Sequence, residues 1–123
     1  AERVLMTVVN EIAEDFDLPQ LAARVLITIR FQPGQKVKDL REQLHATTPT
    51  LARILGDLDQ RGYIERRRSD DGDRRTRRLY LSHEGKRLTD PATSDMRERL
   101  RAAYRSAGSG AVGGVRAVLE ALL

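Results

Sequence analysis

Thr47-Thr48-Pro49-Thr50-Leu51-Ala52-Arg53-Ile54-Leu55-Gly56-Asp57-Leu58-Asp59-Gln60-Arg61-Gly62-Tyr63-Ile64 is the stretch on which the fold turns. Leu51, Ile54, Leu55 and Leu58 recur at the three- and four-residue spacing of one helical face. Ahead of them, either Thr47 or Thr48 supplies a capping hydroxyl, and Pro49 suits the first helical position, where its missing N–H costs little. Gly62 ends the helix. With the leucine face turned inward, the outward positions are Pro49, Thr50, Ala52, Arg53, Gly56 and Asp57.

On the amino-terminal side, Val37, Leu40 and Leu44 mark a shorter helix over Val37–Leu44. On the other side the period changes. Tyr63–Arg68 and Thr76–Leu81 read as two extended segments around Ser69-Asp70-Asp71-Gly72-Asp73, a hairpin with an Asp- and Gly-rich tip whose first strand has weak propensity support. Farther out, Val4, Leu5, Val8, Val9 and Ile12 form a helical stripe over residues 2–14, and Leu18, Leu21, Ala22, Val25, Leu26 and Ile29 form a second, with Pro19 in its first turn and an end before Pro33-Gly34. Ser82 is placed to cap a long helix from His83 that carries Leu88, Pro91, Met96, Leu100, Ala103 and Tyr104, with Pro91 expected to kink or interrupt it. Gly108-Ser109-Gly110 reads as a turn, followed by a last helix with Val112, Val115, Val118, Leu119, Leu122 and Leu123. The fold class is mainly α with a small β-hairpin wing. The segments are an amino-terminal helix over 1–17, a winged helix-turn-helix over 18–90 and carboxy-terminal helices over 91–123.

Composition narrows the function. The 123 residues suit one domain. The longest apolar run, Val25–Ile29, is broken by Thr28, far short of the roughly 18 residues a membrane helix needs. The amino end is acidic and amphipathic rather than a secretory signal, which fits a cytoplasmic location. Zero Cys rules out thiolate zinc sites, iron–sulfur clusters and cysteine nucleophiles. His45 and His83 are isolated from any second ligand, and Ser82-His83-Glu84 cannot align as a triad because consecutive side chains do not aim at one another. No glycine pattern matches a phosphate or dinucleotide loop. The sequence therefore points to no enzyme, no metal and no cofactor.

Charge is distributed unevenly. Net charge is −2 over residues 1–35, +4 over 36–90 and +2 over 91–123, and residues 61–78 alone hold 8 Arg. Such clustering on a hairpin just after a helix-turn-helix suits double-stranded DNA, with the second helix in the major groove and the hairpin on flanking backbone or minor groove. Thr47, Thr48, Pro49 and Thr50 sit at the helix start, where hydroxyls and free N–H groups meet a phosphate. Arg53 is placed to fork onto guanine O6 and N7, a contact worth roughly 1–3 kcal/mol of base discrimination. Among the hairpin cations, Arg66, Arg68, Arg74, Arg75 and Arg77 are the candidate DNA contacts, and alternation along a strand means that some arginines instead pair with Asp70, Asp71 or Asp73. The competing reading is a winged-helix protein-interaction or architectural module whose arginines are only a solvated surface.

From about Leu18 to Arg87 the chain resembles the MarR family of bacterial transcription regulators. The most specific part is Asp73-Arg74-Arg75 followed by Leu81-Ser82-His83-Glu84-Gly85, similar to that family's wing signature of Asp-x-Arg and then Leu-Thr-x-x-Gly. Leu58 through Ile64 is similar to the end of its recognition helix. Two departures are Arg41, where a small Ala is common, and Ser82 in place of Thr. The resemblance implies that Arg75 enters the minor groove and that Asp73 holds the wing tip. It also implies that the apolar stripes at both ends are dimerisation helices, so that a homodimer reads a pseudo-palindrome. A ligand-released repressor is the usual member. An effector would then sit between the DNA-binding lobe and the dimer helices, with Arg30 and Phe31 as candidate lining and a small aromatic or anionic compound as its class.

Overall fold

The computed structural model describes residues 2–68 and 76–107. In chain order these form α1 (Glu2–Asp15), α2 (Gln20–Phe31), β1 (Gln35–Lys36), α3 (Val37–Leu44), α4 (Thr48–Gln60), β2 (Ile64–Arg68), β3 (Arg77–Leu81) and α5 (His83–Ala107). The mainly helical architecture with a small antiparallel sheet agrees with the sequence reading. The hairpin tip at Ser69–Asp73, the Gly108–Gly110 turn and the helix read over residues 110–123 lie outside the described residues.

α2 is the spine. Its expected stripe is too narrow, because Ala23, Ile27 and Thr28 are buried along with Ala22, Val25, Leu26 and Ile29. The reason is that α1, α3, α4, α5 and β3 all pack on it, and a helix enclosed from several sides buries more than one stripe. Thr28 satisfies its hydroxyl by donating to the Arg24 carbonyl at 2.8 Å. Pro19 lies just ahead of the helix at the cap position rather than within its first turn. Val8, Val9 and Ile12 of α1, Leu40 and Leu44 of α3 and the four inward residues of α4 complete the core around it. At roughly 1.5–3 kcal/mol for each large aliphatic side chain buried, this cluster supplies the main favourable term in folding.

The sheet has three strands in the order β1-β3-β2, all antiparallel, where the sequence showed only two. β1 pairs Gln35 with Leu79 and Lys36 with Arg78, and the Gly34 N–H donates to the Leu79 carbonyl at 2.8 Å. Two residues are too few to carry a period, so this strand was invisible in the pattern. β2 and β3 pair from Ile64 with Leu81 through Arg68 with Arg77. Ile64, Leu79 and Leu81 therefore share the buried face with Arg66, Arg68 and Arg77, while Glu65, Arg67, Arg78 and Tyr80 share the other.

α5 continues through Pro91, so of the two expectations, a kink or an interruption, the interruption does not occur. Proline there removes the donor to the Arg87 carbonyl, but Pro91 lies on the exposed side, where water can meet that carbonyl. The inward residues are Leu88, Thr89, Ala92 and Met96, not Pro91. A four-residue step from Leu88 keeps to the side facing α1 and α2, and the three-residue step to Pro91 does not. Farther along, Leu100 and Ala103 are half-buried, and Tyr104 is exposed rather than part of the stripe.

Where α4, the sheet and α5 meet, backbone approaches backbone. Tyr63 N donates to Leu58 O and Gly62 N to Asp59 O, both at 3.0 Å, closing α4 in a Schellman turn with Gly62 at φ +81°. Ser82 N then donates to Tyr63 O at 3.0 Å, Ser82 Oγ donates to Gly62 O, and Gly85 N donates back to Ser82 Oγ at 3.1 Å. A Cβ on Gly85 would collide with the Tyr63 carbonyl oxygen and lie 3.3 Å from Leu81 Cβ. In an open helix, Gly→Ala stabilises by about 1 kcal/mol. Here the sign reverses: Gly85→Ala is expected to lower the unfolding free energy by about 2 kcal/mol or more, read as an earlier midpoint in urea denaturation.

Candidate nucleic-acid interface

The turn between α3 and α4 is made by His45, which takes a left-handed conformation at φ 53°. Ala46 N donates to Arg41 O at 3.2 Å and His45 N to Glu42 O at 3.3 Å, closing α3 as Gly62 closes α4. This tight turn sets α4 against α3 as the second helix of a helix-turn-helix.

Thr47 is the residue that caps α4. Its backbone is extended, its Oγ1 accepts from Thr50 N at 3.4 Å, and the Thr47 and Thr50 hydroxyls are 2.8 Å apart. Thr48 and Pro49 are then the first two helical residues. Thr47, Thr48, Pro49, Ala52, Arg53 and Gly56 are exposed and Thr50 is half-buried, so the structure brings these candidates together on one outward surface. Among the described residues Arg53 has no hydrogen-bond or ion-pair partner. Asp57 drops out of this surface, because its carboxylate holds Arg61 Nε at 3.1 Å. Arg61 Nη1 in turn donates to the carbonyls of Phe16 and Asp17, tying the end of α4 to the end of α1.

On the wing the arginines divide. Arg66 lies on the helix side of the sheet, with its Nε 3.9 Å from Asp59 of α4, so it is partly engaged within the protein. Arg67 pairs with Glu65 at 2.9 Å and stacks on Tyr80, its Cζ 4.3 Å from the ring centroid. Arg78 donates to the Gly34 carbonyl at 2.9 Å. Arg68 and Arg77 are both exposed and face each other directly across the strands, with no carboxylate partner among the described residues. Like charges in that arrangement are unfavourable unless an anion lies against them. Asp73, Arg74 and Arg75 lie outside the described residues, as do Asp70 and Asp71.

Sequence reasoning missed Arg41 as a member of this surface. Its guanidinium Nη1 donates to Thr48 Oγ1 at 2.8 Å, across the helix-turn-helix turn. No periodic signal links two residues seven apart on different helices, so only the turn geometry reveals the pair.

A separate cavity of about 350 Å³ opens between the end of α2, the sheet and the start of α5, lined by Ile29, Arg30, Pro33, Arg67, Tyr80, Leu81 and Lys86. Arg30 also clamps α2 to α5, donating to the Lys86 carbonyl at 2.7 Å and pairing with Asp90 at 3.3 Å. Phe31 is not on this lining and packs, partly buried, against the core. Among the described residues, no group of three or more His, Cys, Asp or Glu is placed to hold a metal, and no helix is long and apolar enough to cross a membrane.

An exposed, capped helix in a helix-turn-helix, followed by an arginine-rich wing, defines the winged helix-turn-helix class. A model of the MarR family matches residues 16–76. The HTH-type transcriptional regulator PetP of Rhodobacter capsulatus is 36% identical over 114 residues, covering 93% of this chain and 68% of that protein. The solved structure of NadR in complex with 4-hydroxyphenylacetate superposes with a TM-score of 0.68 at 23% identity, covering 98% of this chain and 85% of that one. Streptococcus pneumoniae FabT, in complex with DNA, superposes at 0.55 and 22% identity over 80% of this chain and 68% of that one. The chain belongs to the MarR family and is a DNA-binding transcriptional regulator.

Because Thr47 alone supplies the cap, Thr47→Ala is expected to cost about 1 kcal/mol of stability, seen as a lower denaturation midpoint with an unchanged slope.

Proposed function

We propose that this regulator acts in the cytoplasm as a homodimer that reads a pseudo-palindromic operator, has no catalytic activity, and represses until a small ligand releases it. The observation that carries the reading is the outward surface of α4, where Arg53 is exposed beside Thr48, Pro49 and Thr50, followed by Arg68 and Arg77 facing each other with no acid partner among the described residues. Arg53 supplies base readout, while Arg68, Arg74, Arg75 and Arg77 supply charge to the flanking groove, with Asp73 holding the tip. Arg66, shared with Asp59, contributes less.

Dimerisation through residues 1–17 and 91–123 rests on the family resemblance and on α5, because Val8, Val9 and Ile12 of α1 are already covered by the protomer's own core. The second half of α5 leaves Leu100 and Ala103 half-buried and Tyr104 exposed, a face that a second copy would cover. Two-fold pairing would then set two recognition helices about one DNA turn apart.

The ligand reading rests on the cavity at Arg30. Three cations, one tyrosine ring and apolar walls suit a small aromatic carboxylate, and the cavity volume falls in the range of small-molecule sites. A carboxylate there would compete with Asp90 for Arg30 and so loosen the α2–α5 clamp.

Fluorescence anisotropy against duplexes selected from a random pool tests the DNA reading. Arg53→Ala should flatten the base preference at one position of each half-site by roughly 1–3 kcal/mol, whereas Arg75→Ala should weaken all duplexes evenly and lower the salt slope by about 1. Equal binding by both variants and the parent defeats the assignment, and selected sites without two-fold symmetry defeat the dimer. For the cavity, calorimetric titration with 4-hydroxyphenylacetate should show binding that Arg30→Met weakens about tenfold or more, the loss expected of one charged hydrogen bond. An unchanged affinity would move the ligand elsewhere.

A further inference from the structure

We infer that Arg41 is a positioning residue of the DNA interface, which holds the Thr48 hydroxyl ready for DNA and brings an unneutralised charge to a backbone phosphate beside the recognition helix. The inference rests on the DNA-binding reading of α4 and goes beyond it. Arg41 lies in the last turn of α3, yet its head group reaches across the turn to the first residue of α4, 2.8 Å from Thr48 Oγ1.

Two physical points carry the argument. First, a guanidinium donates and never accepts, so Thr48 Oγ1 is the acceptor in this bond and its own proton faces away from Arg41. Among the described residues nothing takes that proton. Thr48 is exposed, and phosphate oxygens, guanine O6 and guanine N7 are all acceptors. Arg41 thus turns a freely rotating hydroxyl into an oriented donor.

Second, the guanidinium has no carboxylate partner among the described residues, although Asp39 and Glu42 stand on the same short helix. Its head group sits instead at the amino end of α4, the positive end of that helix's dipole, where a cation is disfavoured and an anion favoured. Thr48 occupies only one of five N–H donors, leaving a fork for a planar or tetrahedral oxyanion. A cation held at a positive helix end by a neutral hydroxyl is arranged for an anion from outside. In a helix-turn-helix the anion that reaches this corner is the DNA backbone.

The test is a double-mutant cycle by anisotropy on the full chain, using the tightest duplex selected for the parent, across a salt series. Arg41→Met keeps the unbranched apolar stem and helical propensity of the side chain while removing the guanidinium, and Thr48→Val keeps its shape. Arg41→Met is expected to weaken binding about tenfold and lower the salt slope by about 1. Thr48→Val should weaken binding severalfold at an unchanged slope. The double variant should be no weaker than Arg41→Met, because the two act through one bond. Arg41→Lys should restore the slope but not the full affinity, since a point charge replaces the fork. Thermal melts of each variant separate a folding defect from a binding one. Affinity and slope for Arg41→Met equal to the parent overturn the inference while leaving DNA binding intact. Losses that multiply in the double variant overturn the positioning role. A parent that binds no duplex removes the DNA reading itself, and this inference with it.

Discussion

Everything this molecule presents outward is aimed by one crowded joint, the close approach of α5 to the Tyr63 carbonyl. That carbonyl accepts the Ser82 N–H, while Gly85 presses against it with no side chain to hold it off. The Ser82 hydroxyl serves twice, donating to Gly62 O and accepting from Gly85 N. The end of α4, the base of the wing and the first turn of α5 are therefore fixed within a few backbone atoms. A shift in any one would carry the other two, so the orientation of the wing relative to α4 is a property of the backbone rather than of flexible side chains. The family-like Leu81-Ser82-x-x-Gly85 pattern in the sequence is the chemical trace of this joint, with serine supplying the hydroxyl where threonine is usual.

Around the joint, arginines act as ties more often than as free charges. Arg61 spans α4 and α1 through two carbonyls and Asp57, Arg30 spans α2 and α5, and Arg78 spans β3 and the loop before β1. These side chains do through hydrogen bonds to carbonyls what a larger protein does with more core. Among the described residues Arg41, Arg53, Arg68 and Arg77 have no acid partner and stand on α4, the helix before it and the wing, while Arg24 on α2 and Arg97, Arg101 and Arg105 on α5 also have none. Composition reports a net charge of +4 and cannot distinguish the two roles. Only the pairing partners can.

How much was legible follows from the length scale of each signal. Helices with a clear stripe are legible to within a few residues, including a threonine cap at Thr47 or Thr48, the Gly62 stop and the Ser82 cap, because each rests on local chemistry. The outward face of α4 was legible for the same reason, as the complement of its leucines. β1 was not, since two residues carry no alternation and its existence depends on β3, more than forty residues later. The full burial of α2 was missed because it depends on how many neighbours surround the helix. Whether Pro91 interrupts its helix is not legible, because proline's cost is local, whereas the packing of α5 on α1 and α2 that outweighs it is not. Arg41 stands out in the sequence only as a departure from a pattern, and the packing of Phe31 on the core is not visible there at all. Both concern contacts between elements, which a single sequence does not encode in its spacing.

The strand order β1-β3-β2 leaves β2 as the open edge of the sheet. An exposed edge is a row of unsatisfied backbone groups that invites another chain to add a strand, and natural sheets guard against this with short edges and charge. β2 reads Ile-Glu-Arg-Arg-Arg, with every residue after Ile64 exposed, and the opposite edge is only two residues long. A second copy approaching β2 would gather six arginines and only two glutamates along one seam. The run that gave this strand so little propensity in the sequence thus also protects the sheet from growing into an aggregate, so substitutions that make β2 a better strand would make the protein a poorer solute.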